Sequence, residues 1–322
     1  MDNHLHLSRR HFLKTSLAGA AGAAVLPTII PSSVLGADAP SNKIQIGQIG
    51  CGRIAHDMDM KGILQHNSAR IVAVCDLDSN RVRHAKEYVE GTYAKKAGRA
   101  DAVAVKSFGD YRDLLRDGQV DAVAISTPDH WHSEPVIAAA LAGKDIYVQK
   151  PLSMTLVEGR AVSDIVRAKK RAFQIGSQQR SDSPWPQFRR ACELVRNGRI
   201  GKAQTVKVGL PTDPSGGSEK EAPVPANLDY AMWLGCTPQA PYTEDRVHPQ
   251  NSLTARPGWL RIDSYCLGMI TGWGSHHMDI AHWGMDTELT GPIEADGHAE
   301  FPRPGRSGKQ LVCRWAFGER GQ

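Results

Sequence analysis

Six cysteines are spread through 322 residues, at 51, 75, 192, 236, 266 and 313, and no two of them form a Cys-x-x-Cys pair. That spacing excludes the common zinc-ribbon and dithiol-redox patterns, and a chain this long needs no disulfide framework to fold. Most of the thiols are expected to be free, Cys51 and Cys75 as small residues packed in a sheet, while Cys192, Cys236, Cys266 and Cys313 could still pair after export. No stretch approaches the roughly 20 uninterrupted apolar residues of a permanent membrane span, so none is expected in the mature protein. Nor is there a clustered basic face. The formal charge is +5, of which Arg9, Arg10 and Lys14 against Asp2 supply +2 near the N-terminus, leaving +3 for the rest. A nucleic-acid partner is therefore not expected. Internal repeats are absent as well.

The composition that remains, 41% hydrophobic and 23% charged, is that of a globular protein. At about 100–200 residues per domain, the length suits two domains. The first 39 residues read differently. Ser8-Arg9-Arg10-His11-Phe12-Leu13-Lys14 is followed by a weakly apolar Ala/Gly-rich run from Thr15 to Ile30, and Ala37 or Ala39 stands where a small residue precedes a cut. These are the three parts of a twin-arginine signal peptide, which implies export to the periplasm. That route carries proteins already folded.

From Asn42 the chain alternates short apolar runs (43–49, 70–75, 121–126, 145–148 and 172–176) with helical stretches (54–65, 80–89, 111–116, 134–142 and 156–170). This alternation predicts an α/β domain of Rossmann type, a parallel sheet with crossover helices, over 40–176. The small-residue, Lys-rich stretch 91–105 reads as a loop. Beyond it, 177–322 predicts an α+β domain with a mainly antiparallel sheet: an Arg-rich helix at 187–197, then strands at 204–210, 293–301 and 310–317. The sequence stops at Gln322 just after a strand, without the closing helix of a finished domain, so a fragment is expected.

Gly50-Cys51-Gly52-Arg53-Ile54-Ala55 follows the first apolar run and opens a helix, the context in which Gly-x-Gly-x-x-Ala signals a dinucleotide. Gly50 permits the tight turn, Gly52 lets the backbone approach the pyrophosphate, and Ala55 lets the helix pack on the strand. Arg53 and Ile54 complete the loop. Asp76 ends the next strand, where its carboxylate would accept from ribose hydroxyls and repel a 2′-phosphate. NAD is thus expected over NADP, with Arg81 nearby in the opposite sense.

Two further segments end strands: Ser126-Thr127-Pro128-Asp129-His130-Trp131-His132 and Gln149-Lys150-Pro151. Ligands of open α/β sheets bind beyond the carboxyl ends of the strands, which places Ser126, Thr127, Pro128, His130, Gln149 and Lys150 toward the nicotinamide half of the site. A third segment, Gly272-Trp273-Gly274-Ser275-His276-His277-Met278-Asp279, reads as a turn leading into a helix. Its His276, His277, Asp279 and His282 lack a His-Glu-x-x-His layout, so no metal site is expected.

The glycine loop, the Ser-Thr-Pro segment with its histidines and the Lys-Pro pair together resemble the Gfo/Idh/MocA oxidoreductase family over about residues 43–317. The resemblance implies that Lys150 orients the reacting hydroxyl and stabilises a developing alkoxide, and that His276 is the general base. It also implies a sugar or cyclitol substrate and a homo-oligomer formed through the open sheet. Two positions depart from the family pattern. Gln149 stands where a glutamate is usual, and Gly272 where an aspartate four residues before the histidine is usual, so Asp279 or Asp263 would have to orient His276. Three readings follow: an exported NAD(P)-dependent oxidoreductase, a redox-neutral NAD-dependent glycosidase or lyase, and a non-catalytic sugar-binding protein.

Overall fold

Six short strands lie side by side in the order β3-β2-β1-β4-β5-β6, all parallel. They are β1 (Ile44–Ile49), β2 (Ala69–Cys75), β3 (Lys106–Phe108), β4 (Ala122–Ile125), β5 (Asp145–Gln149) and β6 (Phe173–Gly176). The order reverses direction between β1 and β4, which opens a crevice at the carboxyl ends of those strands. This computed structural model describes residues 42–98, 103–211, 220–253, 255–300 and 310–316, and Ile44–Gln322 forms one unit. The leader expected at 1–39 lies outside the described residues.

Near-continuous apolar strands such as Ala122-Val123-Ala124-Ile125 are what a sheet covered by crossover helices requires. Val123, Ile125 and Val148 pack with Leu114 and Val136, beneath α3 (Tyr111–Arg116), α4 (Ser133–Leu141) and α5 (Leu156–Ala168). Ile71 and Val74 pack with Met60, Ala85 and Val89, from α1 (Met60–Ile63) and α2 (Ser79–Ala97).

Helix α2 outruns the sequence expectation of a loop from residue 91. It continues to Ala97 and ends on Gly98 in the left-handed region, with Lys95 and Lys96 in its last turn. Tyr93 explains the extension, since its ring packs on the core and its hydroxyl accepts from the Ile71 N–H at 2.7 Å. The edge strand β3 is three residues long, too short to show an alternating pattern. The strand expected at 204–210 is not formed.

After β6 the chain forms α6 (Pro186–Arg196), α7 (Tyr230–Leu234), α8 (Met269–Gly272) and α9 (Gly274–Gly284). The antiparallel pair β7 (Glu294–Glu300) and β8 (Gln310–Ala316) follows. Leu228, Tyr230, Trp233, Tyr242 and Tyr265 make a separate aromatic core.

Asp78 ties that core to the parallel sheet. Its carboxylate caps α2 by accepting from the Asn80 N–H at 2.9 Å, and it also accepts from Asn227 Nδ2 at 2.8 Å and meets His248 Nε2 at 2.9 Å. Backbone bonds Ser79 N–H to Asn227 O and Asp229 N–H to Leu77 O close the same seam. Burial by itself would raise the Asp78 pKa, but the bonds from His248 and Asn227 outweigh it and hold the pKa at about 2.

Because that value lies below the ordinary 3.8, the stabilisation is complete above the unfolded-state pKa and is lost as pH falls toward 2. Asp78→Ala strands the buried donors and the helix cap together. It is expected to lower stability by about 3 kcal/mol at neutral pH in urea unfolding, and to lose less at pH 3.

Candidate functional site

The crevice between β1 and β4 is walled by Gly50, Gly52, Arg53, Ile54, Asp76, Ser126, Thr127, Pro128, Gln149 and Lys150. Ten of the residues expected from the sequence therefore meet in one cavity. Gly50 carries φ +82°, and a Cβ there would sit 2.7 Å from the Ser126 carbonyl, so the turn admits only glycine. At Gly52 an added Cβ would meet only the Arg81 guanidinium at 3.6 Å. Packing within the chain does not demand a glycine at 52; the room it leaves belongs to the cavity, as a dinucleotide's phosphates require.

The helix after the loop begins as a π-helical turn, Ala55–Asp59, before α1. Asp76 fixes the loop from the other side. Its Oδ2 accepts from the Cys51 N–H at 2.7 Å and its Oδ1 from the Asp78 N–H at 2.9 Å. Arg81, itself buried, lines the same wall.

Behind the strand ends lies a buried carboxylate that the sequence reading passed over. Asp59 Oδ2 accepts from the Ser126 hydroxyl at 2.6 Å, and its Oδ1 accepts from Gln149 Nε2 at 2.7 Å and from the Tyr147 hydroxyl at 3.4 Å. Gln48 Nε2 donates to the Ser126 oxygen in turn, at 2.9 Å. Gln149 thus has an assignment: an amide there donates to Asp59, where a second carboxylate would face it with like charge. Burial pushes Asp59 up to about 6 against the pull of these bonds. The available signal was an acid four residues after Ala55, on the helix face that packs inward.

Asp129 was also overlooked, although it sits inside the Pro128-Asp129-His130 segment. It is buried, it lines the cavity, and its Oδ2 has no hydrogen-bond partner among the described residues. Burial raises its pKa to about 7, with Lys150 and a bond from the Cys266 thiol pulling the other way. Lys150, which makes no hydrogen bond to a described residue, has its pKa lowered by burial, and Asp129 is the leading charge that offsets this.

Three expected residues do not reach the cavity wall. His130 packs against the rings of Trp233 and Tyr265, and its Nε2 meets the Trp233 carbonyl at 2.9 Å, joining the aromatic core to β4. The neighbouring His132 does line the cavity, and its ring bridges the carbonyls of Pro151 and Thr127, holding the ends of β4 and β5 together. His276, on α9, has a buried Nδ1 without a partner among the described residues. Burial first, then the Lys150 charge, lower its pKa to about 4.

Asp279 does not orient His276. Its oxygens take a bidentate pair from Arg180, at 2.6 and 2.8 Å, and the Ser177 hydroxyl at 2.7 Å. Those bonds outweigh burial and hold its pKa below the usual carboxylate value. Asp263 is exposed. Gly272, at the position of the missing aspartate, does line the cavity.

Comparison with known proteins agrees with this geometry. A family model described as the Gfo/Idh/MocA oxidoreductase family, NAD-binding Rossmann fold, matches residues 44–177. The C-terminal alpha/beta domain of the same oxidoreductase family matches 215–308, and a twin-arginine translocation signal matches 6–25. The chain is 32% identical over 197 residues to a myo-inositol 2-dehydrogenase of Thermotoga maritima, covering 60% of this chain and 49% of that one. It is 34% identical over 169 residues to a glycosyl hydrolase family 109 protein of a Shewanella strain, covering 47% of this chain and 35% of that one. The chain therefore spans about half or less of the length of these curated relatives.

Its fold matches the WlbA dehydrogenase of Bordetella pertussis, solved with NADH and UDP-GlcNAcA, at a TM-score of 0.56 and 18% identity, over 85% of this chain and 63% of that one. With its glycine loop, Ser-Thr-Pro segment and Lys-Pro turn gathered at one switch point, this chain, which carries a twin-arginine signal sequence, belongs to the Gfo/Idh/MocA oxidoreductase family.

Proposed function

We propose that the protein is an exported, periplasmic NAD-dependent oxidoreductase that oxidises a hydroxyl of a sugar or cyclitol, or reduces the matching ketone. The observation that carries this reading is Lys150: a half-buried ammonium without a hydrogen bond to a described residue, in the wall of the cavity that the glycine loop opens. On this reading residues 1–39 are the leader, 40–176 hold the dinucleotide and 177–322 form the substrate side.

Gly50, Gly52, Arg53, Ile54 and Asp76 would hold the dinucleotide's phosphates and ribose, with Ser126, Thr127, Pro128 and Gln149 toward the nicotinamide. When bound, the cofactor supplies the two-electron acceptor or donor. Lys150 binds the substrate oxygen and stabilises negative charge developing on it, and the mostly apolar cavity wall strengthens that interaction by limiting water. His276 contributes a neutral imidazole to the substrate side, and Asp279 holds Arg180 against the face of Trp283, 5.1 Å from the ring centre. The Asp76 charge favours NAD over NADP, while Arg81 in the same wall reduces the margin. The cyclitol or sugar class rests on the named relatives and on the family.

A second reading, a redox-neutral NAD-dependent glycosidase, is favoured by the glycosyl hydrolase relative. Incubation with added NAD and myo-inositol separates the two: NADH absorbance supports the dehydrogenase. Cleavage of any of a panel of p-nitrophenyl glycosides without net NADH supports the glycosidase.

Gly50→Ala is expected to abolish NADH binding in a fluorescence titration, because its Cβ cannot be accommodated beside the Ser126 carbonyl. Lys150→Met is expected to lower kcat by roughly 10²-fold with NAD affinity nearly unchanged.

A further inference from the structure

A continuous chain of buried hydrogen bonds runs behind the cavity, from the glycine loop to the residue before Lys150. Gln48 Nε2 donates to the Gly50 carbonyl and to the Ser126 hydroxyl oxygen, both at 2.9 Å. That hydroxyl donates to Asp59 Oδ2 at 2.6 Å, and Asp59 Oδ1 accepts from Gln149 Nε2 at 2.7 Å. Gln48, Ser126, Asp59 and Gln149 are all buried. Three of them belong to the sheet: Gln48 lies on β1, Ser126 follows β4 and Gln149 ends β5. Asp59 reaches them from the π-helical turn after the glycine loop.

An ionised carboxylate only accepts, so Asp59 sets the direction of the whole chain. Ser126 has to donate to it, which leaves the serine oxygen free to accept from Gln48, and Gln149 has to turn its amide nitrogen toward the helix. A buried carboxylate costs stability where apolar packing could join the same elements, which points to a role beyond cohesion. The π turn agrees, since that rare geometry occurs mainly at functional sites, and its buried residues are Ala55 and Asp59. Lys150 makes no hydrogen bond to a described residue, so its place in the wall is set by its chain neighbours. His132 holds the Pro151 carbonyl on one side, and Asp59 holds Gln149 on the other.

We propose that Asp59 is the positioning residue for Lys150: acting through Gln149, it fixes where the lysine stands relative to the glycine loop. Asp59 has this role on the oxidoreductase reading above, with Lys150 and His276 in the roles given there. Its charge contributes along with its shape. Burial pushes the Asp59 carboxyl toward its neutral form, and the bonds from Ser126, Gln149 and Tyr147, then the Lys150 charge, pull it back. Attraction between charges is mutual, so Asp59 favours the ammonium form of Lys150. Asp129, Cys266, Arg53 and Arg256, the other groups that act on Lys150, stay in place when Asp59 is altered.

Because the link needs one carboxylate and one amide, the two can be exchanged. In Asp59→Asn/Gln149→Glu the amide stands on the helix and the carboxylate on β5, with one N–H to oxygen bond and one negative charge kept, and the asparagine carbonyl can still accept from Ser126. Gln149→Glu alone sets two carboxylates face to face, and Asp59→Asn alone removes the charge.

The test compares the mature wild type, the two single variants and the exchange variant. Lys150 is titrated by NMR of protein labelled with carbon-13 at lysine Cε, its signal assigned by loss in Lys150→Met. In parallel, kcat is measured with NAD and whichever of myo-inositol, scyllo-inositol, D-glucose and N-acetyl-D-glucosamine is oxidised. Asp59→Asn is expected to move the Lys150 midpoint to lower pH. Each single variant should lose about 10- to 100-fold in kcat while binding NADH nearly as the wild type does. The exchange variant should restore both the midpoint and kcat, the latter to within about 3-fold. An unchanged Lys150 midpoint in Asp59→Asn, or losses that simply add in the exchange variant, overturns the proposal. If Asp59→Asn does not fold, the exchange variant decides: a folded protein with the wild-type midpoint supports the link, and an unfolded one makes Asp59 a part of the fold alone and overturns it. A wild type that neither binds NADH nor oxidises any of these compounds overturns the oxidoreductase reading, and the Lys150 titration still judges Asp59 separately.

Discussion

Lys150 has to carry a positive charge at the end of β5, among walls that include Trp131, Pro135, Trp233 and Trp259. Removing an ammonium from water is costly unless negative charge is near, and the strand ends are arranged to supply it. Asp129 at the end of β4 is the leading compensating charge, and Asp59 lies behind the same strands, itself influenced by Lys150. The same burial that depresses the lysine raises both carboxyls toward neutrality. Lys150 and Asp129 in the cavity wall, with Asp59 behind it, thus have proton affinities brought closer together than in water.

That condition depends on the aromatic core staying over the parallel sheet. The Asp78 clasp, the bonds along 77–79 and 227–229, and the packing of His130 against Trp233 and Tyr265 all serve this purpose. His132 does the same at closer range by bridging the carbonyls that follow β4 and β5. The histidines of the Asp-His-Trp-His run, which from sequence look like ligand contacts, thus act mainly as fasteners. Both are neutral at physiological pH because burial lowers their pKa to about 4.

The parallel sheet and the glycine loop were legible because their signals are local: apolar runs of strand length, a turn that only glycine can make, and an acid at the end of the next strand. The extent of α2 was not, since Tyr93 secures it through a contact with Ile71, far away in sequence. The strand expected at 204–210 shows the converse, an apolar alternation with no partner strand beside it among the described residues. At the site, position was read better than role. Gly272 does face the cavity, but Asp279 is held by Arg180, whose partner could not be known before the fold was. Asp59 and Asp129 went unnoticed because a buried carboxylate reveals itself only through what does, or does not, bond to it. Gln149, which in sequence looks like a lost function, is explained by the amide bond it donates to Asp59.

On the proposed function, the crevice at Gly50 holds a nicotinamide dinucleotide that would travel with the folded protein through twin-arginine export. The most direct measurement is to purify the mature protein from the periplasm without added cofactor, denature it, and identify the released small molecule by ultraviolet spectrum and mass. Close to one NAD or NADH per chain is expected. Release of no dinucleotide, together with no uptake of NAD by the folded protein, would contradict it.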